Sequence, residues 1–233
     1  MDNKINRLKI YALAITAMAA FSLSACTATQ SHNLVQSDTV ETYNTDYSGK
    51  KTSLVVGNFQ NRSSYMQGLF STGIDKLGNQ AKTILKTHLQ QTNRFTVVDR
   101  ENLETMQQEA KLNGVQQKLT GARYTITGDV TEFGRKVTGD RQLFGIFGAG
   151  KKQTAYAKVS INIVDVVTGE IVYSTQAAGE YELSNREVLG FGSTASYDAT
   201  LNGKVLNFAI IEAVNNIVRD IKSHKWVIAS NNN

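Results

Sequence analysis

The chain of 233 residues predicts an α+β fold, a small α/β domain followed by two long β-hairpins. Two observations carry this. Between residues 52 and 132, short β-rich runs alternate with helical apolar stripes in the order β-α-β-α-β, which implies a small layered α/β unit. From about residue 135 the apolar period changes from three-to-four to two, the signature of strands with unlike faces.

The elements follow in order. Residues 1–25 begin with a basic segment carrying Lys4, Arg7 and Lys9, then the apolar run "IYALAITAMAAFSLSA", as in a secretory signal peptide. "LSAC" closes it, with Leu23 three residues before Cys26 and small residues between. That spacing is what a lipoprotein signal peptidase cleaves, so Cys26 is the expected lipidation site, its covalent lipid the only added group expected. Two or three acyl chains at about 0.8 kcal/mol per buried CH2 give stable anchoring. Cys26 is the single cysteine, which excludes an intramolecular disulfide. Thr27 follows it; the absence of Asp there resembles an outer-membrane sorting signal.

Residues 26–51 are polar and aperiodic, and read as a lipidated tether. An α/β domain is expected over 52–132. "TSLVVGNFQ" is its first strand, and Ile74, Leu77, Ala81, Ile84, Leu85 and Leu89 share a helix face over 74–91. "RFTVVDR" is the second strand. "ENLETMQQEAKL" places Leu103, Met106 and Ala110 on a second helix face, with Glu101 and Glu104 near its positive end. "ARYTITGDVTEF" is the third strand. Both stripes are expected to be core.

Over 133–207, two hairpins are expected, 133–163 and 174–205, joined by a turn in "VDVVTGEI". In the first, Ala155, Ala157, Val159, Ile161 and Ile163 alternate with mostly polar residues. In the second, Tyr173, Thr175, Ala177, Gly179, Tyr181 and Leu183 form one series, and Ala195, Tyr197, Ala199, Leu201 and Val205 another. The tips hold Phe144, Gly145, Phe147, Gly148 and Gly150, and Gly190, Phe191 and Gly192. Each arm is long enough for the 9–11 residues a tilted transmembrane strand uses. The same alternation also suits a soluble antiparallel sheet with its apolar side on a core. The region 208–233 closes the chain with a helix in "NFAIIEAVNNIVRDIKSHKW" and a tail.

Several functions are disfavoured. The formal charge of +5 falls to +3 without residues 1–25, which hold three cations against Asp2; nucleic-acid binding wants a clustered basic face. "GIFGAGKK" spaces its glycines like a phosphate-binding loop but ends in Lys152 instead of Ser or Thr, and an alternating strand follows. His32, His88 and His224 are scattered without metal-ligand spacing, and "FGSTAS" lacks the Gly-x-Ser-x-Gly elbow. The pattern is that of a non-enzyme without a metal.

"VDVVTGEI", the hairpin-turn-hairpin order and the ending "IIEAVNNIVRDIKSHKW" resemble the CsgG/HfaB family, outer-membrane lipoprotein channels of curli secretion, from about Thr52 to Trp226. The resemblance implies a homo-oligomeric ring of nine protomers that pool their hairpins into one transmembrane β-barrel above a periplasmic α/β domain. It also implies export of an unfolded curli-type subunit without ATP, with periplasmic and surface accessory factors. The family's constriction carries a Tyr and, five residues on, a Phe preceded by Asn. "SSYMQGLFSTG" matches with Tyr65 and Phe70, but Leu69 replaces the Asn and Met66 a proline. The resemblance thus assigns Tyr65, Leu69 and Phe70 to a pore constriction more apolar than the family's. The alternative is a monomeric outer-membrane lipoprotein that regulates a peptidoglycan synthase or another envelope enzyme.

Overall fold

A computed structural model describes residues 37–65, 75–139, 151–182 and 199–228. All its elements lie in the compact unit Asp38–Asn233. They are β1 (Thr52–Asn61), α1 (Lys76–Gln91), β2 (Phe95–Val97), α2 (Leu103–Leu112), β3 (Tyr124–Gly139), β4 (Lys151–Asp165), β5 (Ile171–Glu182) and α3 (Ala199–Lys222). The strands form one sheet in the order β2-β1-β3-β4-β5. β1 is parallel to β2 and β3, and β4 is antiparallel to β3 and β5. This is the mixed α/β architecture expected from the element order.

One face of the sheet makes the core. The register sets Leu54 beside Tyr124 and Val56 beside Ile126, then Ile126 beside Ile163 and Val130 beside Val159, and all are buried. Residues two apart along a strand share a face, so the series Ala155 to Ile163 is buried throughout. Helix α1 lays Leu77, Ala81, Leu85 and Leu89 on β1 and β2; α3 lays Val205, Ala209, Ile210 and Ala213 on β4 and β5. Along β4 from Ala155 to Ile163, therefore, the alternation marks a side packed on helices. The opposite side carries Lys158, Ser160 and Asn162, half-buried and polar.

Gly179 lets α3 lie this close. A Cβ there would sit 2.5 Å from the Ala209 nitrogen and 2.6 Å from the Val205 oxygen, inside any allowed contact. Gly169 serves a different need: its φ of +73° completes the turn between β4 and β5.

Three expectations are corrected. The segment 199–205, expected as the last arm of the second hairpin, is the start of α3, and the closing helix begins at Ala199 rather than 208. Leu201 and Val205 are four residues apart, two steps of an alternating count and about one helical turn, so a short window satisfies both periods; the continuation Val205, Ala209, Ala213, Ile217 is helical. Helix α2 has no buried residue, so Leu103, Met106 and Ala110 are not core. The tether is shorter than 26–51, because Val40 is buried in the core and the Glu41 N–H donates to Asn215 Oδ1 at 3.0 Å. A single apolar residue in a polar stretch has no period to reveal it.

Candidate functional site

β3 and β4 run on past β1. β1 makes its last pairing at Asn61 with Val130, whereas β5 stays beside β4 as far as Glu182 opposite Thr154, the last of its described residues. The β3–β4 ladder nevertheless continues to Gly139 opposite Lys151. At about 3.3 Å per residue, the stretch from Val130 to Gly139 carries it about 30 Å further. The third-strand reading and the first arm of the 133–163 hairpin are thus one strand, β3. The tip residues Phe144, Gly145, Phe147, Gly148 and Gly150, and the second set Gly190, Phe191 and Gly192, lie outside the described residues.

The extension keeps two unlike faces. Phe133, Ala155 and Ala157 are buried. On the other side Lys136 pairs with Glu180 at 2.5 Å and Lys158 with Glu132 at 3.1 Å; Glu132, Lys136 and Glu180 are exposed and Lys158 is half-buried. Exposed pairs of this kind contribute little stability, so their effect is to keep that face charged.

The segment 62–74 joins β1 to α1 at the same end of the sheet. Its neck is held by one side chain. Asp75 Oδ2 accepts from the Asn61 N–H at 2.6 Å, and Oδ1 accepts from the Gly78 N–H at 2.7 Å. The carboxylate therefore caps α1 and pins the last residue of β1 together. Asn61 extends the clamp: its Nδ2 donates to the Tyr65 carbonyl at 2.9 Å, and its Oδ1 accepts from Ser63 Oγ at 2.6 Å. Arg62 donates its N–H to the Val130 carbonyl at 2.9 Å, and its guanidinium reaches Asp129 at 2.9 Å.

Tyr65 packs its ring on Phe133, centroids 4.7 Å apart and planes at 53°. The tilted pair sits where β3 runs past β1, so Tyr65 and the extension are in direct contact. Leu69, Phe70 and the lipidation candidate Cys26 lie outside the described residues. The sequence reading missed Asp75 and Asn61. The signal was present: Asp75 stands directly before the apolar period Leu77, Ala81, Leu85, a helix-start pattern.

The end of the sheet opposite the extension is held by aromatic and charged groups. Trp226 stacks on Tyr173 at 5.3 Å and meets Tyr124 edge-on at 5.6 Å. The Tyr173 hydroxyl donates to Asp220 at 2.9 Å. Burial, and then that carboxylate, push the Tyr173 phenol up to about 12, whereas the hydroxyl holds Asp220 below the usual carboxylate range. Asp165 accepts from the Val167 N–H at 2.8 Å and from Arg123 at 2.6 Å; the backbone donor is the first cause of its lowered pKa.

Among the described residues, no group of three or more His, Cys, Asp or Glu is placed to hold a metal ion, and no helix is long and apolar enough to cross a membrane. His88 is buried, with its ring nitrogens 3.0 Å from Gln91 Oε1 and 2.7 Å from Asn207 Oδ1, a structural link between α1 and α3.

A protein-family model described as "Curli production assembly/transport component CsgG" matches residues 35–231. The chain belongs to the CsgG family. A relative from Neisseria meningitidis serogroup B, described as "Putative lipoprotein NMB1126/NMB1164", is 58% identical over 212 residues, 91% of this chain and 95% of that protein. Solved structures similar to this CsgG-family chain include the PelC dodecamer from Paraburkholderia phytofirmans, 16% identical, covering 71% of this chain and 87% of that one with a TM-score of 0.35. Lipoprotein GNA1162 from Neisseria meningitidis is 15% identical over 74% of this chain and 99% of that one, TM-score 0.31. The LpoB C-terminal domain from Salmonella enterica is 16% identical over 56% and 85%, TM-score 0.30.

Proposed function

We propose that this CsgG-family chain is a lipoprotein anchored through Cys26 in the outer membrane, with its α/β domain on the periplasmic side. In this reading it assembles into a homo-oligomeric ring whose extensions pool into a β-barrel channel for an unfolded curli-type polypeptide. The observation that carries the proposal is the β3–β4 ladder running about 30 Å past β1. Residues 131–139 are close to the 9–11 that a tilted strand needs to cross a bilayer.

Among the described residues, the β3 edge of a single copy has no strand partner on the β1 side beyond Val130, and unpaired backbone in lipid costs several kcal/mol per group. Pairing with neighbouring copies removes that cost, so oligomerisation is a physical condition of the proposal. The 62–74 segment then projects beside the mouth, with Tyr65, Leu69 and Phe70 as its aperture. A ring of aromatic and apolar side chains there would admit an extended chain and exclude folded proteins. No nucleotide is needed, since export would follow diffusion and capture outside, aided by accessory factors. The relative described as a lipoprotein supports the anchor.

One observation favours a second reading. Helix α3 occupies the apolar sides of β4 and β5 in the lower sheet, which also suits a monomeric regulator of a peptidoglycan synthase or another envelope enzyme. Full-length protein in mild detergent separates the two: the channel reading expects a ring by mass measurement and ion conductance in planar bilayers. A monomer without conductance overturns it. Tyr65→Ala with Phe70→Ala should raise conductance severalfold in an assembled ring; unchanged conductance removes the aperture assignment alone.

A further inference from the structure

The turn "DVVTGE" is built rigidly, yet it presents apolar residues to water. Asp165 takes the Val167 N–H at 2.8 Å and the Thr168 N–H at 3.3 Å, and Arg123 fixes its other oxygen at 2.6 Å. The Gly169 N–H returns to the Asp165 carbonyl at 2.8 Å, and the Asp165 N–H donates to the Glu170 carbonyl at 2.9 Å. On this frame Val166 is 54% exposed, Val167 77% and Ile171 60%. Turns ordinarily carry Gly, Asn, Asp or Ser at such positions, so the valines have no local reason to be there.

A second apolar group stands by the other edge of the sheet. Helix α2 follows the edge strand β2, and Arg100 donates to the Thr120 carbonyl at 2.6 Å, which ties the following loop back to that edge. Here Leu112 is 80% exposed, Val115 59% and Leu119 50%. Of the eight large apolar side chains that stand exposed among the described residues, six fall in these two groups. Asp165 pairs with Tyr124 at the start of β3, and the loop that carries Leu119 leads directly into Tyr124, so both groups adjoin that end of the sheet.

Two apolar groups of similar size, at opposite edges and the same level, fit a head-to-tail contact, since each copy then covers the group its neighbour leaves open. A contact of unlike surfaces generates a ring when the rotation closes, whereas a two-fold contact would pair each group with itself. We infer that the Val166-Val167-Ile171 turn of one copy docks on the Leu112-Val115-Leu119 surface of the next. The inference rests on the oligomeric reading above and specifies its interface. Three apolar side chains a side fall well short of the roughly 800 Å² per partner of a standard interface, so the contact is weak in an isolated pair and depends on ring closure and the pooled strands.

Cysteine placement tests it, because the parent chain has one cysteine, Cys26, and serves as the blank. Full-length L119C/V167C, purified in detergent and treated with a short bis-maleimide, should give a covalent ladder ending at the ring. L119C mixed during assembly with V167C should give dimers and stop. Cross-linking of either single variant with itself overturns the head-to-tail geometry, and an assembled oligomer with no cross-link overturns this interface while leaving the ring reading standing. A parent chain that is monomeric removes both. V167E, at an exposed site, should retain the parent's circular dichroism and melting temperature while lowering the oligomer fraction at least tenfold; an unchanged oligomer fraction counts against the contact.

Discussion

Replacing Asp75 with alanine removes two hydrogen bonds that hold one junction. The lost N-cap to Gly78 costs about 1 kcal/mol, within the roughly 0.5–2 kcal/mol seen for such caps. Leaving the Asn61 N–H without its acceptor adds about 1–2 kcal/mol, toward the lower part of the usual range because the site is only part-buried and water reaches it. We expect Asp75→Ala to lose about 2–3 kcal/mol, and Asp75→Asn, which keeps one acceptor, about 1 kcal/mol. Urea unfolding followed by circular dichroism on the Cys26→Ala chain reads this out. With a slope of about 2 kcal/mol per molar, the alanine midpoint falls by about 1–1.5 M. On the proposed channel reading there is also a functional arm: because Asp75 closes the neck of the 62–74 segment, single-channel conductance of the full-length protein should become more variable while the oligomer is kept. A midpoint shift below 0.2 M would refute the clamp, since neither hydrogen bond would then bear on the fold.

Gly179→Val should destabilise the fold by at least about 3 kcal/mol, the upper range for overpacking, because the Cβ would meet α3 backbone at 2.5 Å; a melting temperature within a degree or two of the parent's would show that α3 lies elsewhere. Tyr173 gives a pH prediction. Its folded pKa of about 12 lies above the ordinary 10.0, so the stability it contributes is fully present below pH 10 and is lost as pH rises through 12. Phenolate absorbance near 295 nm should show one tyrosine of the nine ionising near 12, and Tyr173→Phe should abolish that step; an unchanged titration contradicts the buried bond to Asp220. The lowered Asp220 and Asp165 act in the opposite sense, contributing stability above the ordinary carboxylate pKa that is lost as pH falls through their folded values. Urea midpoints should therefore decline on the acid side, and Asp220→Asn should flatten part of that decline; an equally steep decline would show that Asp220 is not linked to folding.

The sequence by itself determined the β-α-β-α-β order up to β3, the covered faces of α1 and β4, and the family. Apolar spacing of three and four located Leu77, Ala81, Leu85 and Leu89, and spacing of two located Ala155 through Ile163, because burial on one side imposes a period that survives in any context. Local chemistry marked the Thr168-Gly169 turn, whose positive φ only glycine takes readily. What the sequence left open was decided by contacts between distant segments. The stretch Ala199 to Val205 satisfied both periods, and only packing of α3 against Gly179 resolved it. Leu103, Met106 and Ala110 had a core-like stripe, yet they are only half-buried and α2 has no buried residue. Val40 had no pattern at all, and its burial depends on a helix some 170 residues away, through Asn215. The Asp75 clamp is of the same kind, since its partner Asn61 stands 14 positions earlier. Periodicity reports which side of an element avoids water; it carries no information on which partner, in this copy or the next, supplies the cover.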